Sequence, residues 1–150
     1  MEIINDTLIE LNSDLQCKED VINRIAFLLA ENHRISDPIG FKKDIYKREK
    51  ELSTSMGEGV AIPHTQSKFV QHSSLVLIKL KNKIHWDDDK NISLIFGIAV
   101  PYENKDNHHL KILSTLARKL MNDDFRKKLY QLENKQDTMK YLKFLNEIKD

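Results

Sequence analysis

From Lys18 to Glu31, apolar residues fall at Val21, Ile22, Ile25, Ala26, Leu28 and Leu29. That spacing follows one face of a helix and predicts an amphipathic helix. Ser36 is a candidate N-cap, with Pro38 in the first turn of a second helix running to about Lys50. Ile39, Ile45 and Tyr46 are its expected inward residues. Gly57 and Gly59 break the helical pattern, and Val60 to Ile62 reads as a short strand stopped by Pro63. Leu75 to Leu80 and Ile92 to Val100 read as two more strands. The last is apolar at nearly every position, as a strand covered on both faces should be. Lys83 to Trp86 is a short extended piece, and Asp87, Asp88, Asp89 and Lys90 form a solvated turn. Asp106 or Asn107 caps a helix with a stripe of Leu110, Leu113, Leu116, Ala117 and Leu120. Asp123 or Asp124 opens another, containing Phe125 and Leu129; a final helix carries Met139, Leu142, Leu145 and Ile148. The order helix, helix, strands, helices predicts an α/β sandwich with helices packed on a mostly buried sheet.

The 150 residues suit one domain, 1–150, with one sizeable core. No repeat or low-complexity linker divides the chain. Its 24 basic and 23 acidic residues give no general pull toward nucleic acid or an anionic membrane, leaving only a local patch to consider. A lone cysteine, Cys17, has no internal disulfide partner, as suits a reducing compartment. The opening MEIINDTLIEL lacks the layout of a secretory signal, and no apolar run is long enough for a spanning helix. The expectation is a cytoplasmic, stand-alone subunit.

Chemistry concentrates in Arg48 to Thr65, REKELSTSMGEGVAIPHT. His64 directly follows Pro63, so it is expected where a strand ends at the sheet rim. Gly57 and Gly59 allow close backbone approach to an anion. Ser53, Thr54 and Ser55 supply hydroxyls, and Arg48 a planar fork suited to phosphate. Together they describe an anion site beside a nucleophilic imidazole. On spacing alone, a lone histidine at a strand end is more often a surface residue or a satisfied hydrogen-bond partner, and a Gly-x-Gly pair more often an ordinary turn. A phosphate-binding P-loop is excluded, because no Gly-Lys-Ser/Thr follows the glycines.

The same stretch resembles the signature of the fructose/mannitol class, type 2, of enzyme IIA in the sugar phosphotransferase system (PTS). An Arg-Glu pair and a Ser-Thr step precede a glycine turn into Gly-Val-Ala-Ile-Pro-His. SSLVLIKL, IHWDD, ISLIFGIAVP and HHLKILSTLARKL continue the likeness, which runs from about residue 3 to residue 130. The resemblance implies a single-domain α/β sandwich with a mixed central sheet. It implies that His64 accepts a phosphoryl group, at Nε2, from the carrier protein HPr and passes it to a cysteine of a cognate enzyme IIB. Arg48 matches the arginine near that site, and His109 the second histidine; His108 is the poorer match, since the family histidine directly precedes the apolar residue. Thr54 falls on the Ser-Thr step, while Gly59 and Pro63 shape the loop. Ser55, Met56 and Thr65 depart from the commonest residues, which bears on substrate subclass rather than on chemistry. The membrane is involved only indirectly, through IIB and IIC, so the sugar itself is not legible.

No cofactor or metal is called for: the histidines are scattered, without ligand spacing. His33, His72 and His85 read as surface or structural residues, Trp86 as packing, and Met121 and Met139 as core. Lys42, Lys43 and Lys47 read first as a solvated helix face, with a place near the partner interface as the alternative. A second functional reading is regulatory, as in nitrogen-type or transcription-regulator-associated IIA domains, where phosphorylation switches partner binding. A third is a binding module without turnover, which the presence of His64, Arg48 and His109 disfavours.

Overall fold

The computed structural model describes residues 2–87, 90–103 and 107–148. Asp88, Asp89 and Asp106, named above in a turn and a cap, lie outside the described residues. The chain opens with a short 3-10 turn at Asp6–Leu8 and a strand, β1 (Ile9–Ser13). Helices α1 (Lys18–Glu31) and α2 (Pro38–Glu51) follow. Next come β2 (Ser55–Gly57), β3 (Val60–Ala61), β4 (His64–Ser67), β5 (Ser74–Asp87) and β6 (Lys90–Pro101). Helices α3 (His108–Leu120), α4 (Asp123–Gln131) and α5 (Lys135–Leu142) close the fold, with a 3-10 turn at Lys143–Glu147.

The six strands form one mixed sheet in the order β1-β5-β6-β3-β2, with β4 also paired to β6. β5 and β6 run antiparallel at its centre; β1 is parallel to β5, and β3 and β4 are parallel to β6. Ile92 to Val100 is buried at every residue, so both faces of β6 are covered as the apolar run predicts. One cover is α1, whose Val21, Ile22, Ile25, Ala26 and Leu29 are buried. It lies so close that a Cβ on Gly97 would stand 2.8 Å from Ile25 Cδ1. On α4, Phe125 stacks on Tyr141 and meets Phe144 edge-on, at centroid separations of 5.2 and 6.1 Å.

Several local expectations are corrected. α2 is capped by Asp37, whose carboxylate accepts from the Ile39 amide, and not by Ser36. Ile39 points outward, 64% exposed, while Phe41 and Ile45 face the core. On α3 the buried stripe is His108, Ile112, Leu116 and Leu120, leaving Leu110 exposed. Met121 is exposed just beyond the end of α3, whereas Met139 packs against the core. Lys83 to Trp86 belongs to β5 itself, and a strand precedes the first helix. His33, His72 and His85 are exposed.

The correction that matters for function concerns Pro63. β3 does end before it, at Ala61, but pairing with β6 resumes just past it instead of giving way to a loop. Val60 and Ala61 pair with Leu94 and Ile95, and His64 to Ser67 pair with Ile98 to Pro101. The chain thus stays beside β6, with Ile62 and Pro63 as a kink between two paired segments. Pro63 has no N–H to give, but its carbonyl accepts from the Ile98 amide at 2.9 Å. The Ile62 amide turns away from β6 and donates to the Thr54 carbonyl at 3.0 Å. His64 is the first residue of the resumed strand, not of a loop.

Candidate functional site

Three elements meet at His64. The Pro63 kink delivers it at the head of β4; α2 supplies one wall, and the first turns of α3 the opposite one. Ser67 Oγ on β4 donates to Asp44 Oδ2 on α2 at 2.6 Å, tying those two elements together. Between them lies an open depression of about 680 Å³, bordered by His64, Arg48 and His109. Asp44, Lys47, Lys68, Tyr102 and Leu110 also border it.

His64 is half-buried, and its Nδ1 lies 2.7 Å from the Ile62 carbonyl oxygen. A carbonyl only accepts, so Nδ1 carries the proton and Nε2 carries the lone pair in the neutral ring. Burial lowers the pKa of His64 below its ordinary 6.5. The charges of Arg48 and His109 push the same way, against the Ile62 hydrogen bond and Glu49. The ring is therefore neutral at neutral pH. His109 is also lowered from 6.5, by burial first and then by its neighbour His108. At rest it offers hydrogen bonding rather than a permanent positive charge. Arg48 Nη1 donates to the Leu52 carbonyl at 2.8 Å, which pins the guanidinium across the end of α2.

His108 sits differently from its neighbour. It is buried, with Nδ1 3.0 Å from Ser73 Oγ. That contact fastens the start of α3, whose N-cap residue Asn107 makes no side-chain capping bond.

The hydroxyl run and the glycines lie elsewhere than the sequence suggests. Thr54 is buried and gives its hydroxyl to Glu49; Ser53 gives its hydroxyl to Asp87. Gly57 and Gly59 adopt φ of +85° and +77° at the tip of the β2–β3 hairpin, a conformation suited to residues without a Cβ. The Gly59 carbonyl accepts from the Ser93 and Leu94 amides, anchoring the hairpin to β6. Gly57 borders a separate groove with Leu120, Met121 and Arg126. The two glycines thus shape the hairpin, and they do not form an amide cradle beside His64.

Behind the depression is a buried polar cluster that the sequence did not announce. Glu49 Oε2 lies 2.9 Å from Lys18 Nζ, and the Glu49 side chain is only 3% exposed. Lys18 also reaches Asp87 at 3.4 Å and stands over the Trp86 ring, 5.0 Å from its centroid. Asp44, Lys47 and Lys68 at the site were likewise not singled out as site residues. For the first two the signal was helical period: Asp44, Lys47, Arg48 and Glu51 recur at three- and four-residue spacing and share one face of α2, whereas Lys68 follows β4 and carries no such mark. Among the described residues no group of histidine, cysteine and carboxylate side chains is arranged to hold a metal ion. None of the described helices is long and apolar enough to cross a membrane.

Residues 2–144 match the family described as phosphoenolpyruvate-dependent sugar phosphotransferase system, EIIA 2. The chain belongs to that family. The EIIA chain is 34% identical over 131 residues to the PTS system fructose-specific EIIA component of Haloferax volcanii, covering 86% of this chain and 84% of that protein. It is 32% identical over 133 residues to Multiphosphoryl transfer protein 1 of Escherichia coli K12, covering 88% of this chain. It spans 16% of that much longer relative. Among solved structures, nitrogen regulatory protein IIA-Ntr from Neisseria meningitidis superposes with a TM-score of 0.85 at 29% identity, covering 93% of this chain and 96% of that one. Mannitol IIA from Escherichia coli shares the fold, with a TM-score of 0.78 at 21% identity over 93% and 98% of the two chains.

Proposed function

We propose that this EIIA chain is a phosphoryl carrier that works in the cytoplasm. Nε2 of His64 accepts a phosphoryl group from phospho-HPr and hands it to a cysteine of a cognate enzyme IIB. The observation that carries this reading is the 2.7 Å contact from His64 Nδ1 to the Ile62 carbonyl in a site that keeps the ring neutral. It supports Nε2 as an in-line nucleophile with its lone pair free for bonding.

In the step, the Nε2 lone pair forms a bond to phosphorus. The P–N bond to the donor ring breaks, and the donor nitrogen keeps that electron pair. Positive charge grows on the His64 ring, and the Ile62 carbonyl oxygen stabilises it by accepting the hydrogen bond from Nδ1–H. Negative charge spread over the equatorial oxygens meets the Arg48 guanidinium. His109 donates a hydrogen bond, and the arriving phosphoryl charge favours its protonation. Transfer to IIB repeats the displacement with a thiolate as nucleophile, returning His64 to its resting tautomer. No metal enters the scheme, and the sugar is handled downstream.

A second reading is favoured by the likeness to IIA-Ntr, in which phosphorylation would switch partner binding instead of feeding a transporter. Both readings begin with phosphorylation of His64. The test is incubation with phosphoenolpyruvate, enzyme I and HPr, followed by addition of candidate IIB proteins. Acid-labile phosphate that appears on the chain and discharges to a IIB is the expected result. Phosphate that loads but discharges to no IIB favours the regulatory reading. A folded chain that takes no phosphate from active phospho-HPr overturns the carrier reading.

A further inference from the structure

Arg48 and Glu49 are adjacent in the last turns of α2, so their side chains leave the helix in different directions. Arg48 borders the depression; Glu49 is buried behind it. A buried carboxylate is stable only with close partners, and Glu49 has three. Lys18 Nζ meets Oε2 at 2.9 Å, the Thr54 amide donates to Oε2 at 3.4 Å, and the Thr54 hydroxyl donates to Oε1. Two of the three partners are on one residue, so Glu49 fixes both the backbone and the side chain of Thr54.

Thr54 is in turn the residue that holds the kink before His64. Its carbonyl accepts the Ile62 amide, one step beyond the Ser55–Ala61 pair of β2 and β3. The Ile62 carbonyl then accepts His64 Nδ1–H. Among the described hydrogen bonds, an unbroken line of contacts thus runs from Lys18 on α1 through Glu49, Thr54 and Ile62 to the imidazole. Among the described hydrogen bonds Ile62 makes none to β6; its neighbours Ala61 and Pro63 are the residues that β6 holds.

We propose that Glu49 is a positioning residue: acting through Thr54 and Ile62, it locks the His64 ring with Nδ1 protonated and Nε2 available. The proposal rests on the functional reading above for its consequence in catalysis, but not for its structural content. Glu49 touches neither phosphorus nor partner. Its contribution is to place the Ile62 oxygen where only one tautomer can bond to it.

The test uses the full chain with 15N-labelled histidine and the substitutions Thr54→Val, Thr54→Ser and Glu49→Gln. The ring tautomer is read from long-range 1H–15N spectra above the pKa of His64, beside the kinetics of phosphoryl acceptance from phospho-HPr. In the unaltered chain His64 should be a single Nδ1–H tautomer. Thr54→Val and Glu49→Gln should each give a tautomer mixture and lower kcat about tenfold, with KM for phospho-HPr unchanged. Thr54→Ser restores the hydroxyl and should restore both readouts. A Thr54→Val chain that keeps the single tautomer and full kcat overturns the proposal. If Glu49→Gln fails to fold, the Thr54 pair decides alone, because Thr54→Val leaves the Lys18–Glu49 ion pair in place. If the unaltered chain accepts no phosphate, the carrier reading falls. The spectra still decide the clamp: a tautomer locked in the unaltered chain and released in Thr54→Val upholds it, and one unchanged by Thr54→Val overturns it.

Discussion

Arg48 and Glu49 are one peptide bond apart and occupy opposite environments. Arg48 faces an open depression, and among the described residues its one side-chain hydrogen bond goes to the Leu52 carbonyl. Glu49 is sealed behind it and satisfied by Lys18 and Thr54. The front of the site is thus lightly bonded, leaving groups available to an incoming phosphoryl oxygen. The rear is closely bonded, and it has no such freedom. Substitutions at the front should therefore cost rate with little loss of stability, while substitutions at the rear should cost stability as well.

The largest effect expected at the front is from His64→Ala. Phosphoryl acceptance should vanish while the urea midpoint stays near that of the unaltered chain, since the ring is only half-buried and borders the open depression. Gel mobility or mass measurement after incubation with phospho-HPr reads the first quantity, and equilibrium denaturation the second. At the rear, Glu49→Ala leaves the partly buried Lys18 cation with the longer Asp87 contact and the Trp86 ring. It should cost about 3 kcal/mol in urea denaturation, and an unchanged midpoint would erase the contrast between the two regions.

Arg48→Ala sharpens the same comparison. It should slow acceptance about a hundredfold through lost charge stabilisation. Stability should change by no more than about 0.5 kcal/mol. If Arg48→Ala unfolds the chain while Glu49→Ala leaves it stable, the assignment of front and rear is inverted. His109→Ala should still permit loading from phospho-HPr but slow discharge to IIB, and single-turnover measurements in each direction separate the two steps.

The smallest expected effect is of pH. The His64 pKa is lowered on folding, so the folded chain favours the neutral ring. That contribution to stability is fully present above the unfolded value near 6.5 and is lost as pH falls through 6.5 toward the folded value. Acceptance should likewise persist to lower pH than an ordinary histidine would allow. Denaturation of the unaltered chain and of His64→Gln, compared on the two sides of that window, should show a larger acid-side loss in the former. The reverse order would contradict a lowered pKa.

How much of this was legible in the sequence varies with the kind of contact involved. α1 follows from its own periodicity, and β6 from a run apolar at nearly every position, because burial leaves both marks directly in the chain. β4 reads His-Thr-Gln-Ser and carries no such mark; its pairing with β6 makes it a strand. Ser36 and Asp37 are both capping types, and only backbone geometry separates them. Leu110 was misplaced because α3 buries His108 and Ile112 instead, which turns the stripe around the helix. At the site, the resemblance pointed to Arg48, His64 and His109, and the three border one depression. Their roles there remain part of the proposed function. The Glu49–Lys18 pair was not legible, since it joins residues 31 positions apart on different helices. The role given to Ser53 and Thr54 differs for the same reason: hydroxyls near a histidine in sequence bond to carboxylates distant from it, the part-buried Asp87 and the buried Glu49.

The most direct test of the account is to locate the phosphoryl group on the loaded chain. The chain is phosphorylated with phosphoenolpyruvate, enzyme I and HPr, kept alkaline, and mapped by mass spectrometry, and the ring nitrogen is assigned by 15N and 31P spectroscopy. A single phosphoryl group on Nε2 of His64 is the predicted result. Phosphate on Nδ1 of that ring, or on His109 or His108 in place of His64, would contradict it.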